Sequence, residues 1–305
     1  MIDLNEMQEK ISALKKEKNA VILSHFYQTI DIQQIADYVG DSFELSKISK
    51  AAVQDTIVFC GVKFMAESAK LLSPNKKILL PNYNAGCPMA DMITPEMIKD
   101  LRLQYPNAAV VCYVNSSAET KAECDICCTS SNAVRIVKSL EQDEIIFVPD
   151  KNLGAYVSQF VPDKKFIYID GYCPIHAEVT VDDVKAIKNK YPNAKFAAHP
   201  ECDPEVLKFA DFIGSTSEIL KYCIESDDSE FIIGTEYAIS ERLRYYYPEK
   251  KYYPLTPNFV CPNMKKTTLE SIYNSLLNEE TIIELPTELI NKANIPLERM
   301  LAAVK

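Results

Sequence analysis

Ten cysteines occur in this 305-residue chain, and three of them precede a proline: Cys87-Pro88, Cys173-Pro174 and Cys261-Pro262, standing 86 and 88 residues apart. Near-equal spacing of an uncommon dipeptide is a mark of internal duplication. Two further registers support it. The tetrapeptide Tyr-Pro-Asn-Ala begins 18 residues after Cys87, at Tyr105, and again 18 residues after Cys173, at Tyr191. Ser130 lies 43 residues after Cys87, and Thr216 lies 43 residues after Cys173. A period near 86 residues suits small domains rather than solenoid repeats. We therefore read three similar units, each delivering one thiol to a shared point: residues 1–86 with 261–305, residues 87–172, and residues 173–260.

Short apolar runs alternate with helical patterns in all three, which is the signature of α/β units with parallel sheets. The expected strands are 20–24, 56–60 and 77–80 in the first unit, then 109–114, 144–148 and 165–169, then 195–198 and 230–233. Helical periodicity covers 31–52, 63–72, 95–105, 132–140, 181–191 and 204–210, an amphipathic N-terminal stretch, and most of a tail (265–305) expected to pack back on the first unit. No Gly/Ser-rich linker separates the units, so they are expected to be in firm contact. The resulting fold class is α/β, with three pseudo-symmetric three-layer domains whose short parallel sheets surround a common centre.

Chemistry-bearing residues fall at strand ends, where open parallel sheets bind ligands. Ser24-His25-Phe26-Tyr27, Tyr113-Val114-Asn115, His199-Pro200-Glu201 and Gly234-Thr235-Glu236 each end an apolar run. The chain has three histidines, His25, His176 and His199, all in strand-end motifs. They are candidates for metal ligation, carboxylate binding or proton transfer. Glu201 is the candidate acid–base, and Tyr27 and Tyr113 offer phenol protons at the same mouth. Ser42, Ser130 and Thr216 offer hydroxyls near helix N-termini, where they serve as ligands or as N-caps. Cys60 and Cys112 read as core, and Cys202 and Cys223 as helix packing residues. Cys124, Cys127 and Cys128 lack the second ligand pair that a zinc site needs and read as buried or loop thiols. Three converging thiolates suit a zinc with a fourth ligand or water, or a [4Fe–4S] cluster with one open iron. The absence of CxxxCxxC and of a C-x2-C-x2-C run points toward dehydration rather than radical or electron-transfer chemistry.

Taken together, SHFYQ, GDS, GCPMAD, YVN, CTSSNA, GYCPIH, HPEC, GSTSE, GTE and CPNMK resemble the quinolinate synthase family, the A protein of bacterial NAD biosynthesis, in order from about Val21 to Lys266. The resemblance implies a [4Fe–4S] cluster with Cys87, Cys173 and Cys261 as its three ligands and one open iron. It implies condensation of iminoaspartate with dihydroxyacetone phosphate to quinolinate, phosphate and two waters, a transferase reaction. His25, Ser42, Tyr113, Val114, Asn115, Ser130, His199, Pro200, Glu201 and Thr216 match positions that bind substrate. Tyr27, His176 and Glu201 match the proton-handling group. Some members carry a C-terminal CxxCxxC segment. Here Cys261 is followed by Pro-Asn-Met-Lys, and disulfide control there is not expected. Functional coupling to an L-aspartate oxidase is an expectation from the pathway. Three rivals stay open at this level: an aconitase-like hydro-lyase, a non-catalytic iron–sulfur sensor, and a zinc-binding structural protein.

The net charge of −10 argues against nonspecific nucleic-acid binding. No apolar run approaches a membrane span and no signal-peptide pattern opens the chain, so free or metal-bound thiols in a reducing cytoplasm are expected. None of the five arginines falls in the motifs, so anionic groups must be held by hydroxyls, amides, histidines and helix N-termini.

Overall fold

In the computed structural model, which describes residues 4–303, the chain forms three four-stranded sheets, all of whose pairings are parallel. The first holds β1 (Ala20–His25), β2 (Tyr38–Gly40), β3 (Thr56–Cys60) and β4 (Lys77–Leu79). The second holds β5 (Ala109–Tyr113), β6 (Ile126–Cys128), β7 (Glu144–Val148) and β8 (Lys165–Tyr168). The third holds β9 (Lys195–Ala198), β10 (Phe212–Ile213), β11 (Glu230–Gly234) and β12 (Lys251–Pro254). Each sheet has the same order, second strand, first, third, fourth. One connectivity repeated three times is what the Cys-Pro spacing leads one to expect. The central strands β1, β3 and β5 are buried at every position, which is why they read as unbroken apolar runs.

The helical pattern at 31–52 is broken in the structure. A helix at Ile30–Ile35 gives way to β2 before a second helix at Ser42–Ala51. The cause is Asp37. Its carboxylate accepts the Ile22 N–H at 2.8 Å, and its own N–H donates to the Ile22 carbonyl at 2.9 Å, which pins the chain alongside β1. Asp125 grips Val110 of β5 in the same way, and Asp211 grips Phe196 of β9. Each aspartate is also paired with a basic residue from the helix that precedes its unit's first strand: Lys15, Arg102 and Lys188. These anchors set the short second strands β2, β6 and β10, none of which has enough apolar sequence to announce itself.

The three units share packing. One large core runs from Val21 through β5 and β7 to Met300, and Phe26 packs among Ile219, Phe231 and Ile239 of the third sheet's surroundings. The tail divides its contacts. The helix Leu269–Asn278 packs on the first unit, against the N-terminal helix Leu4–Glu17 and β3. The helix Thr287–Ala303 instead bridges the first and second units, lying on Lys63–Leu72, Ala118–Lys121 and β6. The tail therefore does not return to the first unit alone. Met1–Asp3 and the last two residues of the tail lie outside the described residues.

Candidate active site

The three Cys-Pro loops leave the fourth strands and end in single helical turns, at Ala90–Met92, Pro174–Ala177 and Met264–Lys266. Proline cannot donate a hydrogen bond and fixes the chain at the start of the turn. The following amides then point back at the sulfur: Met89 and Ala90 toward Cys87, His176 toward Cys173, and Asn263 and Met264 toward Cys261. All three thiols are half-buried and line one cavity of about 250 Å3 enclosed by the three units. Burial pushes the Cys87 thiol up to about 12, with the charges of Cys261 and Glu201 adding to it. Burial likewise pushes Cys173 well above its ordinary value, helped by Glu201 and Cys87, and raises Cys261. Three thiolates in this space are therefore unfavourable unless a cationic centre compensates them.

Each loop is tied down at the same point. The N–H groups of Lys63, Lys151 and Tyr237, just beyond β3, β7 and β11, donate to the carbonyls of Ala85, Gly171 and Phe259 at 2.7, 2.8 and 2.7 Å. Each acceptor stands two residues before its cysteine.

The other walls come from the first strands. His25 ends β1, and its Nδ1 accepts the Tyr27 N–H at 3.1 Å; His199 follows β9, and its Nδ1 accepts the Glu201 N–H at 3.3 Å. With Nδ1 an acceptor, each ring carries its proton on Nε2. Burial holds both rings neutral, His25 down to about 3 and His199 to about 4. The Nε2 of His199 lies 3.2 Å from Ser130 Oγ.

Glu201 sits between charges and donors. Burial alone would raise its carboxyl, but His176, His199 and a hydrogen bond from Tyr113 outweigh this and hold it ionised, at about 2. Tyr113 Oη donates to its Oε1 at 2.6 Å, and His176 Nδ1 lies 2.9 Å from its Oε2. The other ring nitrogen of His176 is 3.0 Å from Thr235 Oγ1, which is 2.8 Å from Tyr27 Oη. A continuous hydrogen-bonded chain thus joins Tyr27, Thr235, His176 and Glu201. Its buried members can pass a proton without admitting water.

Hydroxyls complete the lining. Ser42 and Thr216 are the first residues of the helices Ser42–Ala51 and Thr216–Glu225, and Ser130 occupies the matching turn after β6. The two helix N-termini are tied together where Ser217 Oγ donates to Asp41 Oδ2 at 2.6 Å. Paired N-termini with hydroxyls and neutral imidazole N–H groups form an anion-binding wall without arginine. Asn115 also lines the cavity, and its buried Oδ1 has no hydrogen-bond partner among the described residues. Of the sequence-derived candidates, His25, Tyr27, Ser42, Tyr113, Asn115, Ser130, His176, His199, Glu201, Thr216 and the three cysteines meet at this cavity; Val114 and Pro200 hold the backbone behind it and do not line it.

Sequence reading missed Asp150 as a site residue. It is fully buried, and its Oδ2 accepts the Cys173 N–H at 3.2 Å. Its separation from Glu236, 86 residues, was a signal on the page. Cys202 is not on a helix but in the bend before Pro204–Leu207, its thiol 3.6 Å from the Gly234 carbonyl. Cys124, Cys127 and Cys128 are buried, the latter two within β6. One trio of ligand atoms among the described residues lies within reach of a single metal ion: Cys173, His176 and Glu201, mutually within 4.8 Å. No described helix is long and apolar enough to cross a membrane.

The model of the NadA family, described as quinolinate synthetase A protein, matches residues 9–302. A quinolinate synthase of Alkaliphilus metalliredigens is 52% identical over 295 residues, 97% of each chain. A quinolinate synthase 2 of Methanosarcina acetivorans is 53% identical over 294 residues, 96% of this chain and 94% of the relative. A quinolinate synthase of Caldicellulosiruptor saccharolyticus is 49% identical over 300 residues, 98% of this chain and 99% of the relative.

Proposed function

The chain belongs to the quinolinate synthase family, and from that premise we propose that it condenses iminoaspartate with dihydroxyacetone phosphate, releasing quinolinate, phosphate and two waters, in the cytoplasm. The observation that carries the proposal is the meeting of three Cys-Pro thiols, Glu201 and the neutral histidines in one enclosed cavity.

The donor set fits a multi-iron cluster better than a lone zinc. Thiolates around one zinc lie about 3.8 Å apart, whereas the trio within single-ion reach contains only one of the three thiols. That trio also has partners outside itself, since Glu201 Oε1 accepts from Tyr113 and the second ring nitrogen of His176 bonds Thr235. Cys87, Cys173 and Cys261 would hold a [4Fe–4S] cluster with one iron left open. When bound it supplies a Lewis acid that stabilises the charge of a departing hydroxide.

The remaining work falls to this chain's side chains. His25, Ser42, Asn115, Ser130, His199 and Thr216 hold the substrate carboxylates through neutral donors, with Tyr113, Val114 and Pro200 shaping the segments that carry them. Neutral donors fit a dianionic substrate without trapping a charged product. Glu201, ionised and backed by His176, removes a proton from carbon; Tyr27 gives its phenol proton to the substrate and is resupplied from Glu201 through His176 and Thr235. Enclosure by three units keeps water from the imine, which would hydrolyse.

The test is an anaerobic assay with both substrates. Quinolinate and phosphate formed in equal amounts, and neither without the triose phosphate, is the expected result. Absence of quinolinate from iron-replete protein contradicts the proposal, and turnover of a simple hydroxy acid would favour a hydro-lyase instead. An L-aspartate oxidase supplying the iminoaspartate should raise the rate.

A further inference from the structure

We propose that Asp150 and Glu236 are positioning residues of the metal centre, each fixing a thiol loop by accepting the main-chain N–H of its cysteine, and that Cys87, which lacks such a partner, is the thiol released first. The two acids stand 86 residues apart and occupy the same point of their units, two residues past β7 and β11. Both are fully buried. Each divides its oxygens in the same way. Asp150 Oδ1 caps its own helix by accepting the Leu153 N–H at 2.8 Å, while Oδ2 reaches Cys173 N at 3.2 Å. Glu236 Oε2 accepts the Ala238 N–H at 2.8 Å, while Oε1 reaches Cys261 N at 3.1 Å and Lys265 at 2.9 Å.

The first unit breaks the pattern. Two residues past β3 stands Val62, whose side chain can accept nothing, and the helix Lys63–Leu72 begins without a side-chain cap. The backbone bond from Lys63 to Ala85 is present, as in the other units, but the Cys87 N–H has no side-chain acceptor among the described residues. At the cysteine itself two loops thus carry a carboxyl clamp and one does not; the Cys87 loop is held farther back, by Asn82 donating to the Lys266 carbonyl and Lys266 Nζ to the Asn84 carbonyl. A buried carboxyl is costly to desolvate, and Asp150 has no ion pair with a basic side chain among the described residues. Its two oxygens accept N–H groups, one of them belonging to a cysteine of the cavity. In the first unit, where Val62 takes the acid's place, the helix start and the cysteine N–H both go without a side-chain acceptor.

The metal half of this inference rests on the iron–sulfur reading; the clamp half does not, and the experiment separates them. Amide exchange is measured on the metal-free full chain for wild type, Asp150→Asn and Glu236→Gln. An amide side chain offers one acceptor oxygen where the carboxyl offers two, so one of the two N–H groups held by each acid must go unpaired. The expected result is exchange about 10–100-fold faster at Cys173 or Leu153 in Asp150→Asn and at Cys261 or Ala238 in Glu236→Gln, with β5 and β9 amides unchanged. Unchanged exchange at both members of either pair, or equal acceleration across the central strands, overturns the assignment. Anaerobic iron-loaded protein is then treated with a ferrous chelator and an alkylating agent. Faster iron loss in both variants and first labelling at Cys87 are expected. First labelling at Cys173 or Cys261 overturns the ranking. A wild type that holds no iron removes the metal reading and the release order with it, while the exchange result still decides the clamps.

Discussion

Gly171 is the point where a single methyl group should unseat a thiol. A Cβ built there would lie 2.3 Å from the Pro149 carbonyl oxygen. Ordinary carbon contacts begin near about 3.5 Å, so Gly171→Ala must push the 171–173 segment away by about 1 Å. The bond from Lys151 N to Gly171 O, 2.8 Å long, would stretch beyond useful range, and the 3.2 Å contact from Cys173 N to Asp150 would go with it. A backbone hydrogen bond is worth about 1 kcal/mol and one to a carboxyl about 1.5–3 kcal/mol. The expected destabilisation is therefore about 2.5–4 kcal/mol, read as a fall in the urea midpoint with unchanged slope. Iron content should drop in parallel, because Cys173 is displaced. Gly86→Ala supplies the control. It also lies beside a site cysteine, but a Cβ there meets nothing within 4 Å, so stability should stay within about 0.5 kcal/mol of wild type. Wild-type stability and iron content in Gly171→Ala, or equal damage from both alanines, would refute the reasoning.

Three other outcomes follow from the geometry. Glu201→Gln should keep its iron and lose turnover about 10^2- to 10^4-fold; normal turnover would remove Glu201 from proton transfer. Thr235→Val cuts the link between Tyr27 and His176 and should slow turnover about 10–100-fold at unchanged iron content, an effect that an unchanged kcat would exclude. His25 and His199 are held neutral, at about 3 and about 4 in the folded chain, against about 6.5 unfolded. The unfolded state then binds more protons below pH 6.5, so the stability from these rings is complete above that pH and is lost as pH falls toward 4. Between pH 6.5 and 5.5 the loss is about 1 kcal/mol per ring, about 2 kcal/mol together. Urea unfolding of the metal-free chain should show this difference, and the His25→Gln/His199→Gln chain should lose it. An identical pH dependence in the two chains would contradict neutral imidazoles.

The strands whose bounds are sharpest in the sequence are central ones, although the edge strands β4 and β8 are legible too. β3, β7 and β9 were bounded by their apolar runs, because a central strand of a parallel sheet has no polar side to interrupt it. β2, β6, β10 and β12 were not read. They are short, and the first three are set by aspartates that grip a neighbouring strand's backbone rather than by an apolar pattern of their own. The site divides along the same line. Residues whose side chains carry chemistry, such as Cys87, His199 and Glu201, stood out by type and by position after a strand. Asp150 and Thr235 act through hydrogen bonds to other site groups, and an isolated Asp or Thr after a strand looks like any helix cap. Asp37, Asp125 and Asp211 were equally visible at the repeat spacing. What identifies them is the atoms they hold, and those are fixed only once the sheets are assembled.

The central claim is that Cys87, Cys173 and Cys261 together hold an iron–sulfur cluster in this cavity. Iron and acid-labile sulfide per chain, measured on strictly anaerobic wild-type protein with its visible spectrum, test it most directly. About four of each with a broad band near about 400 nm is the predicted result. Zinc, or no metal, in that preparation would contradict the claim.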